Sequence, residues 1–441
     1  MFSNRDLSRL IIPLVLEQIF AMSIGIVDMV MLSSISESAV SGVSLVETFN
    51  LLILNVFIAL NTGGAVLVAQ YLGRKDIENA QESSKNLFFI SFMISTIIGL
   101  IIIVFGSTII SMVYSNANVD VLNAAKSYLI VSGFAYPFIA LYNSGVAIFR
   151  AMSNSKVSMY VSLLINIVNI ITSYIFIFKM DLGVMGAALG STISRILGAI
   201  IVMCLLHYKK EGLRIDSYFK FKIDKSIIRK ILAVGLPNGL ENAMFNGGKL
   251  IVKVMIAGFA TYAIAADAVS NTIAGIQIIA PNAIALAMIT IIGRCMGSND
   301  IKQAKYYIKK LMKIAYVSTF IVNIIIFILV PFILQYYNLS DRAYDMAYTL
   351  ILIHTVASIL FWPLSFSLPN AFRASNDAKY TMIVAIISML FCRVVLSYIF
   401  GIYLGYGIIG MWLAMIVDWI IRIIFFTRRY YSNKWYAVAL I

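Results

Sequence analysis

Apolar runs of about twenty residues, each long enough to cross a hydrocarbon layer ~30 Å thick, recur along almost the whole chain. Leu10 to Leu32 is the first; Leu87 to Val113 and Ile408 to Phe426 are others. This pattern predicts an all-α integral membrane protein. Composition agrees, because only 12% of the 441 residues are charged and the mean hydropathy is +0.92, whereas a soluble domain carries about 25% charged residues. The first run follows directly on Met1-Phe-Ser-Asn-Arg-Asp6 without a small-residue cleavage site, so no removable signal peptide is expected. Cys204, Cys295 and Cys392 are far apart, with two histidines in the chain. That spacing excludes a disulfide framework and a structural zinc site, and makes the cysteines small packing residues. Heavy use of Ile, Asn and Lys is a compositional hint of an AT-rich bacterial genome; the expected location is a bacterial cytoplasmic (inner) membrane.

Breaking the runs at their polar punctuation gives twelve spans, starting near residues 10, 43, 86, 123, 157, 185, 231, 263, 311, 346, 380 and 408. With the N-terminus in the cytoplasm, the cytoplasmic segments hold 26 Lys and Arg. The external ones hold three, Lys126, Lys179 and Arg342, and five more lie inside spans. This bias places both termini in the cytoplasm. It also accounts for the net charge of +14 as a topology signal, so no nucleic-acid partner is expected. The longest polar segment, 208–230, is expected to be a cytoplasmic linker brushing anionic lipid headgroups. It divides a six-helix lobe at 1–207 from another at 231–441.

The two lobes are copies. At an offset of 224 residues, Pro13-Leu-Val-Leu-Glu17 falls on Pro237-Asn-Gly-Leu-Glu241, and Gly73-Arg-Lys-Asp76 falls on Gly297-Ser-Asn-Asp300. Gly183-Val-Met-Gly186 falls on Gly407-Ile-Ile-Gly410, and with one residue of slip Phe149-Arg150-Ala151 meets Phe372-Arg373-Ala374. Six spans per copy is an even number, so the repeats are parallel. A substrate site is then expected between them near the midplane, with access alternating as the halves rock.

Three further features carry a family resemblance: Phe-Arg-Ala with a polar loop and Lys after spans four and ten, Gly183-x-x-Gly-Ala-Ala188 opening span six, and the Gln70 to Ala80 run after span two. Together they resemble the multidrug and toxic compound extrusion (MATE) family over almost the whole chain. The resemblance implies a V-shaped, outward-open pair of lobes. It implies antiport, with a drug or toxic metabolite leaving and Na⁺ or H⁺ entering, and no cofactor. The expected unit is a monomer in membrane lipid, and not an enzyme.

Acids inside a span are functional candidates because each costs about 2.5–3.5 kcal/mol at a helix centre. Glu17, Asp28, Glu241, Asp267 and Asp418 lie well inside spans, and Glu47 lies nearer an end. Asp28 matches the acid that the family places in span one for ion coupling. Glu17 shares its face but sits roughly 16 Å along the axis, too far to hold the same ion. On span five, Asn166 and Asn169 share a face, and their amide oxygens suit a hard cation. Interhelical packing explains them equally well. Family members often carry an acid four residues after that Asn; Ser173 stands there, which removes one charge from the cation site. Ser191 and Thr192 on span six are further oxygen donors. Glu241 is the repeat partner of Glu17, either a coupling acid or part of a duplicated helix brace. Some family branches carry acids where this chain has Phe245 and Trp362, so their second-lobe cation site does not transfer.

Lys249 and Lys253 are one turn apart on span seven, and a Lys249–Asp267 pair is the cheapest way to hold those charges in lipid. Lys253 is expected to snorkel outward. Arg393, Asp418 and Arg422 form a structural charge cluster, with Asp418 and Arg422 at i, i+4. A lone His354 is expected to be a hydrogen-bonded structural group. Abundant Met and Tyr, including Met22, Met29, Met31 and Met255, suit an adaptable cargo surface. The balance of intramembrane charge reads as acidic, favouring a cationic cargo. The rival reading is a flippase for a lipid-linked saccharide of the same superfamily. No HExxH, P-loop or serine-triad signature supports a membrane enzyme.

Overall fold

The computed structural model describes residues 2–114, 118–208, 213–215, 223–337 and 339–437. Lys209, Lys210, Glu211, Asp216, Lys220 and Lys222 of the expected linker lie outside the described residues. Among the described residues every regular element is a helix. In order these are α1 (Asn4–Ser33), α2 (Glu37–Gly73), α3 (Ile77–Val113), α4 (Val119–Ala151), α5 (Ser155–Tyr174), α6 (Gly183–His207) and α7 (Lys225–Ile256). Then come α8 (Thr261–Gln277), α9 (Ile279–Gly297), α10 (Ile301–Gln335), α11 (Asp341–Trp362), α12 (Pro369–Ala374), α13 (Ala378–Ile387) and α14 (Gly407–Tyr431).

Eleven helical stretches among the described residues are long and apolar enough to cross a membrane. The charged α7, with Glu241, Lys249 and Lys253, makes the twelfth pass. Large apolar side chains such as Ile101, Val104, Phe105, Phe320 and Ile328 point outward, as lipid-facing surface must. The chain divides into two compact units, Met1–Leu236 and Pro237–Ile441, with the division inside α7.

Span eight differs from the single helix its hydropathy suggests. It breaks at Ile278 into α8 and α9, which together cover Thr261–Gly297, the counterpart of α2 at the offset of 224. Spans five, ten and eleven contain π-helical turns, at Ile175–Lys179, Pro363–Ser367, Ser388–Val395 and Tyr398–Tyr403.

The duplication extends to single backbone angles. All left-handed residues among the described ones except Asn433 come in pairs: Lys75 (φ 62°) with Asn299 (57°), Ser153 (63°) with Asn376 (65°), and Asp181 (52°) with Gly405 (72°). Gly183 (53°) pairs with Gly407 (59°). Asp76 and Asp300 both cap the helix that follows, accepting from Asn79 N and Gln303 N at 3.1 and 2.9 Å. Met180 N reaches Ile175 O at 3.0 Å, and Leu404 N reaches Ile399 O at 2.8 Å. Each lobe thus turns at the same places by the same local device.

The one-residue slip has a structural cause. Between the Phe-Arg-Ala motif and the turn at Ile399, the second lobe regains one residue relative to the first. The π-helical turn Ser388–Val395 absorbs it inside span eleven, the usual way a helix takes in a single insertion.

Candidate functional site

In the first lobe, α1 and α5 pack side by side and bring Asp28 against Asn169. Asn169 Nδ2 donates to both carboxylate oxygens of Asp28, at 2.9 and 3.2 Å. Behind it Ser173 Oγ donates to Asn169 Oδ1 at 3.1 Å, which fixes the orientation of the amide. Asn169 and Ser173 are fully buried, while Asp28 keeps part of its surface open. Gly190 lets α6 close on α5 behind Ser173: a Cβ there would lie 2.4 Å from Ser173 Oγ and 2.7 Å from Ser173 N. The charges of Glu47 and Arg195 both act on Asp28.

The remaining predicted oxygen donors are placed otherwise. Asn166 Nδ2 donates to Phe20 O at 2.8 Å, tying α5 to α1 below the acid. Thr192 Oγ1 donates back to Ala188 O at 2.8 Å, and the Ser191 carbonyl accepts from Ser194 Oγ at 2.7 Å. Neither Ser191 nor Thr192 makes a hydrogen bond to Asp28. Sequence reasoning left Glu47 aside, yet it anchors a second polar group between α2 and α4. Asn50 Nδ2 and Tyr128 OH donate to Glu47 Oε1 at 2.9 and 3.3 Å, and Tyr136 OH donates to Asn50 Oδ1 at 2.8 Å. The available signal was the i, i+3 spacing of Glu47 and Asn50.

Glu17 and Glu241 meet the arginines of the two Phe-Arg-Ala motifs. Glu17 is held by Arg150 Nη2 and by Ser158 Oγ, the latter at 2.8 Å. Glu241 is held by Arg373 Nη2 at 2.7 Å and Thr381 Oγ1 at 3.3 Å. Each clamp joins the first helix of its lobe to the end of the fourth pass and the start of the fifth. Both members of each pair stood in duplicated motifs, and that shared duplication was the overlooked signal of contact.

Further into the second lobe, Arg422 Nε donates to Asp418 Oδ1 at 3.0 Å, both fully buried. Asp267 Oδ1 accepts from Trp412 Nε1 at 2.9 Å. Among the described residues no ion pair joins Asp267 to Lys249, although both line one pocket. Instead Lys249, Arg393 and Arg422 surround the ring of Phe245 at 5.5, 5.6 and 5.6 Å. Phe245 packs on Phe366 (5.8 Å), which stacks on Trp362 (4.0 Å). Aromatic rings therefore fill both positions where some family branches carry acids. His354 is fixed by Gln277 Oε1 between the edges of Trp412 and Trp419. The acidic balance read from the sequence belongs to the first lobe alone. Once Arg422 and Arg373 answer Asp418 and Glu241, the second lobe is left with Lys249, Lys253 and Arg393 against Asp267.

The MatE family model matches the chain twice, at residues 13–175 and 237–399, the same offset of 224 seen in the sequence. The Bacillus subtilis protein named uncharacterized transporter YisQ is 29% identical over 96% of this chain and 93% of its own length. A probable multidrug resistance protein NorM from Thermotoga maritima is 24% identical over 99% and 94%. A multidrug export protein MepA from Staphylococcus aureus is 22% identical over 92% and 89%. Among solved structures, an outward-facing multidrug resistance MATE family transporter matches with TM-score 0.88 at 21% identity, covering 98% of this chain and 96% of that one. A MOP superfamily transporter from Pyrococcus furiosus, described as having a binding pocket of reverse polarity, matches with TM-score 0.90 at 20% identity over 98% and 96%. With the duplicated helices, clamps and turns, these matches identify the chain as a multi-pass membrane protein belonging to the MATE family of transporters.

Proposed function

We propose that this transporter is a secondary active multidrug exporter, moving bulky and often cationic organic compounds out of a bacterial cell in exchange for Na⁺ or H⁺. It works from the cytoplasmic membrane as a monomer, without a cofactor, and with both termini inside, as the 26-to-three bias in Lys and Arg supports. The observation that carries the reading is the Asp28–Asn169–Ser173 chain across the α1–α5 seam.

An ionised carboxylate only accepts hydrogen bonds, and Asn169 gives it two from one amide nitrogen. Loading Asp28 with H⁺ turns one oxygen into a donor that faces the Asn169 N–H₂. Loading it with Na⁺ puts a hard cation there that needs the amide oxygen instead. Na⁺ forces Asn169 to turn and breaks its bond from Ser173, H⁺ removes one of its two bonds to Asp28, and either change alters how α1 seats on α5. A cationic drug neutralised by Asp28 is released by the same loading, which makes inward ion flow and outward drug flow alternatives on one acid. Glu17 and Glu241, each answered by an Arg, act as helix braces in this reading.

The test is ethidium uptake into energised everted vesicles, with and without Na⁺, for the wild type and Asp28→Asn. Gradient-dependent uptake that Asp28→Asn abolishes at equal protein level supports the reading. Normal pumping by Asp28→Asn removes Asp28 from the coupling path, and no dye movement by the wild type removes the drug-exporter assignment.

A further inference from the structure

The second lobe has a pocket at the position where the first lobe has its acid. At the offset of 224, Val252 stands in the register of Asp28, Asn271 in that of Glu47 and, counted back from the matched turn at Ile399, Arg393 in that of Asn169. All three line the pocket, together with Lys249, Lys253 and Asp267. The sign of the charge is therefore changed between equivalent places. The first lobe presents Asp28 and Glu47 with one cation, Arg195; the second presents three cations and one carboxylate.

That carboxylate is already engaged, since Asp267 Oδ1 takes the indole N–H of Trp412. Among the described residues neither Arg393 nor Lys249 forms a hydrogen bond or an ion pair; each only faces the ring of Phe245. Arg393 is 9% exposed. A buried guanidinium carries five donors and no means of losing its charge; the carboxylates acting on Arg393, Asp418 and Asp267, already accept from Arg422 and Trp412. The Arg393 donors, free of hydrogen bonds within the described residues, suit a ligand that accepts them. The π-helical turn Ser388–Val395 carries Arg393, and turns of this kind gather at functional sites.

The cavity measures about 30 Å³. That is room for one small polar group rather than a whole drug, since a single water needs about 10–15 Å³ by this measure. Met411, Met415 and Trp412 form an apolar wall beside the cations. We infer that this pocket binds the oxyanion head, carboxylate or phosphate, of an organic anion whose apolar body lies along that wall. The assignment goes beyond the export reading and is tested by binding alone, so either stands without the other.

Radiolabelled 2-naphthoate is the probe, with full-length protein in discs of zwitterionic lipid. The wild type is expected to bind it saturably, without competition from tetraphenylphosphonium. Arg393→Gln removes charge-assisted bonds to the head and weakens binding by about tenfold or more. Asp267→Asn removes the opposing charge, keeps an oxygen for Trp412, and tightens binding. Melting temperature checks each variant, and Lys249→Gln replaces Arg393→Gln if that chain does not fold. Discs containing phosphatidylglycerol separate the two sources of such a head. Loss of the Arg393-dependent binding there assigns the site to a lipid headgroup, and its persistence assigns it to a soluble anion. Equal binding by wild type and Arg393→Gln, or weaker binding by Asp267→Asn, overturns the inference.

Discussion

Replacing Arg373 with Met leaves the Glu241 carboxylate, whose side chain is only 8% exposed, with the Thr381 hydroxyl at 3.3 Å as its remaining partner. A buried charge stripped of its counter-ion costs about 3–5 kcal/mol. Glu241→Leu strands Arg373 in turn, although its bond to Asn370 Oδ1 at 2.8 Å softens the loss. The double variant removes both charges and sets two apolar side chains together, an exchange that is often neutral. The expected coupling between the two sites is therefore about 3 kcal/mol, measured by reversible unfolding in mixed micelles as a double-mutant cycle. In the first lobe Arg150 is 21% exposed against 10% for Arg373. Water answers part of its charge, and the Glu17–Arg150 coupling should be about half as large. A coupling below about 0.5 kcal/mol in both lobes, or the larger value in the first lobe, refutes the clamp. The cycle also separates brace from coupling acid. If Glu241 is a brace, the double variant recovers transport along with stability; if it couples ions, the protein refolds but stays inactive.

Gly190→Ala should lower stability by about 1–3 kcal/mol by overpacking the α5–α6 seam, while Gly25→Ala, with nothing within 4 Å of a Cβ, should be neutral. Ser173→Ala should not rescue Gly190→Ala, because the new Cβ also meets Ser173 N at 2.7 Å and Cα at 2.9 Å; melting curves of the three variants decide it. Arg429 grips Asp377 with two bonds, at 2.7 and 3.0 Å. Arg429→Lys keeps the charge but loses the fork, and should cost about 1 kcal/mol in the same unfolding assay.

The membrane passes and the duplication were legible because insertion physics is written directly into hydropathy and matched motifs. The break at Ile278 was not, since a change of helix direction leaves an apolar run apolar. The sequence groups Asp28, Asn169, Ser191 and Thr192 as cation-site candidates; the structure brings Asp28 and Asn169 into contact, while the Thr192 hydroxyl and the Ser191 carbonyl bond within their own helix. Summing charge over the whole chain hid the difference between lobes, because it counted Glu241 and Asp418 as free when Arg373 and Arg422 already answer them. The slip at Phe-Arg-Ala was visible in the sequence as a misfit and is visible in the structure as a π-helical turn.

That turn supports a prediction that ordinary membrane helices do not allow. Deleting one residue inside a span rotates everything beyond it by about 100° relative to what came before, which normally destroys the packing. Span eleven contains one residue more than its counterpart between the matched clamps and the matched turn at Ile399, and Ser388–Val395 takes up the excess. Deleting Leu390 should let this segment close into an ordinary α-helix, as α5 does over the equivalent stretch up to Tyr174. Both ends keep their seats, Thr381 on Glu241 and Leu404 N on Ile399 O. Arg393 lies beyond the deletion and keeps its spacing to Ile399, so it keeps the register of Asn169. The expected protein melts close to wild type and keeps its Arg393-dependent naphthoate binding, whereas deleting Ile167 from α5 gives a chain that does not fold. If the Leu390 deletion fails as completely as the Ile167 deletion, the turn is not an absorbed insertion, and the alignment of Arg393 with Asn169 falls with it.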